Sequence, residues 1–218
     1  MKSLSMVALV LVGCGGPQVV GGLDDGLLPP DALTGPQSLD LRLVPFDIDA
    51  QVQARRTLHD PQFVPLTLGG QGGAARLTVD DRGLTLESLT VRFDDLDVPA
   101  QMLPPDGVGF RALRLTLEGR AQGTLQTLGD TGEREALLGV DLALSGELRT
   151  AQGTQSPFDT QRFPAVPLKV SLGTAADGRA EVRLKLDRHG PTWQWAGLLD
   201  TQDVHLAARA LQTPYVPR

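Results

Sequence analysis

The sequence predicts an all-β domain, an antiparallel sandwich or barrel of about nine or ten strands, occupying residues 38–218 of the 218-residue chain. Three observations carry that expectation. From Ser38 onward apolar residues recur at every second position, the period of strands buried on one face. Clusters such as DDRG at 80–83 and TAADG at 174–178 supply turn residues between the runs. No helical stripe long enough for a crossover connection intervenes, which leaves an antiparallel architecture.

Taken in order, the chain opens on MKS, whose Lys2 is positive, and continues through an apolar run from Leu4 to Val12 interrupted by Ser5. A bilayer span takes about 20 apolar residues, so this run is too short to cross. It has the layout of a secretory signal. Leu11, Val12, Gly13 and Cys14 follow, and Cys14 is the only cysteine in the chain.

The LVGC string resembles the lipobox of bacterial lipoproteins. The resemblance covers residues 1–14 and implies that the Cys14 thiol takes up diacylglycerol, with cleavage just before it. Residues 1–13 are then a signal peptide and Cys14 begins the mature chain. Each buried acyl CH₂ contributes about 0.8 kcal/mol, and two or three chains anchor a protein that does not cross the membrane. Gly15, standing where an aspartate retains enterobacterial lipoproteins at the inner membrane, implies the outer membrane, facing the periplasm. A lone cysteine also excludes an intramolecular disulfide.

Residues 14–37 carry five glycines before residue 27, then PP and GP, with no sustained apolar period, and read as a flexible tether. The 181 residues from 38 to 218 suffice for one domain. The net charge of −6 for the whole chain argues against nucleic acid as a partner and against broad adhesion to anionic head groups.

Within the domain, Leu39, Leu41 and Leu43 share one face. After Val44 and Pro45 the phase shifts, and Phe46, Ile48, Ala50, Val52 and Ala54 continue it, which predicts a bend. Asp47 and Asp49 fall on the solvated side. Around DDRG, pairing Val79 with Leu84 sets Leu77 against Leu86 and predicts an Arg76–Glu87 ion pair. Further strands are expected at 113–125, 140–148, 166–172 and 180–186, and Gly178 is available for positive φ. Trp193 and Trp195, two apart, face the same side of a strand. Residues 204–212 fit a short C-terminal helix through Val204, Ala207, Ala208 and Leu211. They also fit a strand through Val204, Leu206, Ala208 and Ala210.

No residue set in the sequence carries a reaction, and none calls for a cofactor or a metal. Ser145 lacks the flanking glycines of a nucleophile elbow. His59, His189 and His205 are far apart, and His59 and His189, each just before a turn, read as solvent-facing loop residues. Asp94, Asp95 and Asp97 lack the spacing of a calcium loop. The GGQGGAA stretch at 69–75 precedes a strand, whereas a dinucleotide site precedes a helix. What remains is an aliphatic inward face. Filled, as in a sandwich, it implies a structural or adaptor module for another envelope protein. As the lumen of a wide barrel it implies a binder of a lipophilic ligand or envelope lipid.

Overall fold

A computed structural model describes residues 37–54, 63–81, 83–100, 106–128, 133–189, 193–195 and 197–213. Leu11, Val12, Gly13, Cys14, the tether to residue 36, and His59 lie outside the described residues, as do the side chains of Trp193 and Trp195.

The described chain is strand and turn throughout. Its strands are β1 (Gln37–Leu43), β2 (Phe46–Ala54), β3 (Val64–Val79), β4 (Gly83–Phe93), β5 (Leu96–Val98), β6 (Val108–Leu117) and β7 (Ala121–Thr124). They continue as β8 (Gln126–Leu128), β9 (Glu133–Arg149), β10 (Gln155–Pro157), β11 (Gln161–Thr174), β12 (Ala180–Arg188), β13 (Trp193–Trp195) and β14 (Leu199–Gln212). All 14 belong to one antiparallel sheet.

Several are pieces of one interrupted stave. β1 and β2 both pair with β3 and with β14. β4 and β5 both border β6, and β6 and β7 both border β4. β6 and β8 both border β9 on one side, with β10 and β11 on the other. β12 and β13 both border β14. The segments thus group into eight staves, each antiparallel to the next in the chain, and β14 returns to the first. The result is a closed up-and-down barrel. Interruptions at Val44–Pro45, Asp94–Asp95 and Glu118–Arg120 break the ladder without sending the chain to a new neighbour, so fewer staves form than the phase slips suggest.

Closure satisfies the backbone on both sides around the tight-turn half of the ring. Among the described residues, single-sided pairing remains in the short segments β5, β8, β10 and β13, in Val64–Leu68 of β3, which pair with β2 alone, and in Gln161–Leu168 of β11, which pair with β9 alone.

Leu39, Leu41 and Leu43 are buried, as is Val52, while Asp47 and Asp49 are exposed, so the predicted phase change holds. Val79 faces Leu84 and Leu77 faces Leu86. The predicted Arg76–Glu87 pair does not form. The ladder shifts between Arg76 and Leu77, so Arg76 lies opposite Ser88 and Glu87 is the extra residue. Arg76 instead bonds Asp40 at 2.7 Å, and Glu87 bonds Arg120 at 2.7 Å. A bulge moves every later side chain by one position, which redirects the charges while the apolar face is kept.

Residues 204–212 are strand, not helix. Val204, Leu206, Ala208 and Ala210 are buried while the residues between them are not, the period-two solution. Helical and strand patterns both fit the segment, and pairing with β12 and the first stave decides between them.

One end of the barrel is made of tight connections. At 80–83 the Gly83 amide donates to Asp80 Oδ1 at 2.7 Å, and at 175–179 the Ala175 amide donates to the Arg179 carbonyl. Gly178 has φ +81°, as expected. Both Gln37 and Gln212 lie at this end, which is packed with Leu39, Leu77, Leu84, Leu86, Leu138 and Leu172. On its outer face, Glu181 is only 2% exposed and accepts from Arg183 and Arg209.

Among the described residues five strands bulge: β3 at Gln71, β4 at Glu87, β6 at Ala112 and Leu113, β11 at Pro164 and Ala165, and β14 at Asp203 and Val204. Among the described residues, the three non-glycine residues with positive φ, Ala112, Ala165 and Asp203, all sit in these bulges. Left-handed backbone at alanine is uncommon, and it marks places where the wall is bent.

Candidate functional site: a lumenal cavity and an outer His–Asp cluster

An eight-stranded barrel has an interior just wide enough for its own side chains. Here most of it is filled, and a cavity of about 100 Å³ remains, displaced from the tight-turn end. Its wall is aliphatic and aromatic, with Leu66, Leu68, Phe93, Leu115, Leu144, Phe163 and Leu206 among the lining residues. Four of the five bulges lie within three residues of a lining residue: Gln71 near Leu68, Leu113 near Leu115, Pro164 beside Phe163, Val204 in the wall itself. Bulges increase bend and local twist, so at this level the wall bows and side chains that would close the lumen are re-aimed. The Phe46 and Phe93 rings meet edge to face beside it, with centroids 6.5 Å apart.

Among the described lining residues the one polar side chain is Thr201, on the inward face of β14 between Leu199 and the bulge. It is 8% exposed, and its Oγ1 is buried without a hydrogen-bond partner.

A second feature lies on the outer face of the same wall. His205 Nδ1 is 2.9 Å from Asp187 Oδ1, and His189 Nδ1 is 3.3 Å from Asp203 Oδ1. The two imidazole rings meet at 5.2 Å between centroids. Asp49 lies opposite His205 in the ladder and accepts from Thr67 Oγ1 at 2.6 Å. A groove of about 420 Å³ runs along these groups. The sequence reading placed these histidines apart, and it is the β12–β14 ladder that joins them. The usable signal is a D-x-H string on each strand, 187–189 and 203–205, because antiparallel pairing sets each aspartate against the other strand's histidine. Among the described residues, no three histidine, cysteine, aspartate or glutamate side chains converge to hold a metal.

The hydrogen bond from His205, with help from Lys185, holds the Asp187 carboxyl below the usual carboxylate range. A depressed folded-state pKa stabilises the fold above the unfolded value of about 3.9, and that stabilisation disappears as pH falls through the folded-state value. Asp187→Asn should therefore show a flatter decline in urea midpoint than the wild type below about pH 4. Parallel curves for the two proteins would assign Asp187 no linkage.

The other sequence candidates are engaged structurally. Asp95 and Asp97 pair with Arg111, and Asp94 accepts from Gln71. The glycines at 69–73 lie inside β3, where Gly72 has φ +110° at the bulge.

Fold and cavity together define a class: a closed antiparallel meander barrel with an apolar lumenal cavity. No protein-family model, curated protein or solved structure matches the chain.

Proposed function

We propose that the protein is a lipid-anchored envelope lipoprotein, attached through Cys14 and facing the periplasm from the outer membrane, whose barrel binds a lipophilic ligand and acts by binding rather than catalysis. The observation that carries this reading is the cavity, whose lining among the described residues holds no titratable group. An apolar recess of this kind favours an apolar guest. An engineered cavity of about 150 Å³ takes up benzene, so about 100 Å³ suits the end of one hydrocarbon chain and not a whole diacyl lipid.

The signal layout and LVGC string support the anchor. The tether joins the barrel at its packed end, away from the cavity. Its 23 bonds from Cys14 to Gln37 reach at most about 80 Å, enough to let the cavity level face either toward or away from the membrane.

Native mass spectrometry tests the binding reading. The ring closes within Gln37–Gln212, so a chain from Cys14 to Arg218 keeps every strand. Incubated with envelope lipid extract and freed of detergent, it should carry one added mass of a few hundred daltons, on the order of a single-chain lipophile. A clean apo mass under the same conditions would overturn the reading.

A further inference from the structure

The wall around the cavity is not continuous. The ladder between β3 and β4 runs from Val79–Leu84 to Gly70–Phe93, and its last bond is donated by the Asp94 amide to the Gly69 carbonyl oxygen at 2.8 Å. Beyond that bond the two staves part. Val64–Leu68 of β3 pair with β2 alone and β5 pairs with β6 alone, so among the described residues two free edges border a slit.

Side chains at the fork keep it in place. The Asp94 carboxylate occupies the space a Cβ on Gly69 would need, and it accepts from Gln71 Nε2 at 2.8 Å. Asp95 and Asp97 pair with Arg111 of β6, which ties β5 to that side and away from β3.

The slit leads to the cavity. Leu66 and Leu68 on one border and Phe93 at the apex line the lumen, and Leu96 on the other border packs against the core. Leu66 is half-buried where Leu68, nearer the apex, is 8% exposed. Across the barrel the ladder between β11 and β12 also ends, at Lys169–Lys185, but there β13 lies against β11. The β3 side is the open one.

Free edges ordinarily invite another strand. Here Pro65 has no amide hydrogen to donate, and β5 is three residues long with Asp95 and Asp97 on it or beside it. Prolines, charges and short edges all discourage strand addition. A hydrocarbon chain asks for no hydrogen bonds, and the leucines and Phe93 offer it apolar contact. The cavity of about 100 Å³ takes only the end of such a chain, which leaves the remainder to lie in the slit.

We propose that the slit between β3 and β5 is the entrance to the lumen and the seat of the ligand's chain. The ligand is a single-chain amphiphile whose methyl end fills the cavity. Its polar head stays on the outer surface beside Thr67, Asp94 and Asp95, all of them exposed. This rests on the binding function proposed above and adds the ligand's class, orientation and route.

The test locates the head. The probe is the octanoyl ester of a nitroxide alcohol, which carries its unpaired electron at the head of one short chain. It is added, below the concentration at which it aggregates, to the isotope-labelled chain from residue 14 to Arg218 carrying Cys14→Ser. NMR spectra are compared before and after the nitroxide is reduced. Shifts of the Leu68, Leu115 and Leu144 methyls report entry of the chain into the lumen. Paramagnetic broadening should be strongest at the amides of Thr67, Leu68 and Leu96, and absent at Leu77 and Leu84 in the packed end.

If the lumenal methyls shift but broadening centres on β11 or the packed end, or spreads evenly over the barrel, the slit is overturned while the cavity stands. If no lumenal methyl shifts, the cavity reading falls with it.

Discussion

Replacing Cys14 with serine is expected to abolish acylation and release the protein from the membrane fraction on alkaline wash. The thiolate is the nucleophile that takes up a lipid, and a serine hydroxyl has no comparable ionised form near neutral pH. Without acyl chains the apolar run of residues 4–12 is too short to span the bilayer. The wild type should resist the wash, since two or more chains anchor stably where one holds marginally. The readout is unambiguous because residues 3–41 contain no lysine or arginine. The N-terminal tryptic peptide of the wild type should run from acylated Cys14 to Arg42, and that of Cys14→Ser from Ser3 to Arg42. A wild-type peptide beginning at Ser3 would overturn the lipoprotein reading.

The second large effect concerns the fold. At Gly73 of β3 the chain is paired on both sides, with Leu43 and with Val91. An added Cβ would run into the Thr90 carbonyl oxygen, and would lie 3.0 Å from the Val91 Cα. Both obstacles are backbone held by the ladder, which does not yield as a flexible side chain would. Gly73→Ala should cost about 3 kcal/mol, at the upper end of overpacking penalties, or prevent folding altogether. Gly139→Ala is the matched control, because nothing lies within 4 Å of its Cβ position. That variant should stay within about 0.5 kcal/mol of the wild type. Urea unfolding followed by circular dichroism distinguishes the two, and equal effects would contradict the close approach at Gly73.

The inward face of nearly every stave was legible in the sequence because one-sided burial writes itself as period two. Leu39, Leu41, Leu77, Leu86, Val140 and Leu184 are all buried where the alternation placed them. The bend at Pro45 was legible for the same reason, since a bend leaves a phase error. The destination of Arg76 was not. Its partner Asp40 comes from β1, and local spacing holds no information about which strand lies beyond the hairpin. The helix alternative at 204–212 failed in the same way, because alanines satisfy both periods and only neighbouring strands select one.

By itself, then, the sequence determined the all-β class, the hydrophobic face, most turns and the resemblance of residues 1–14 to a lipoprotein signal. These follow from covalent order and from interactions between near neighbours. The tertiary structure alone decided that the sheet closes with eight staves, that bulges flank a cavity in an otherwise filled lumen, and that Asp187 and Asp203 meet His205 and His189. Each of these depends on register between segments distant in the chain, and register is set when the whole sheet closes on itself.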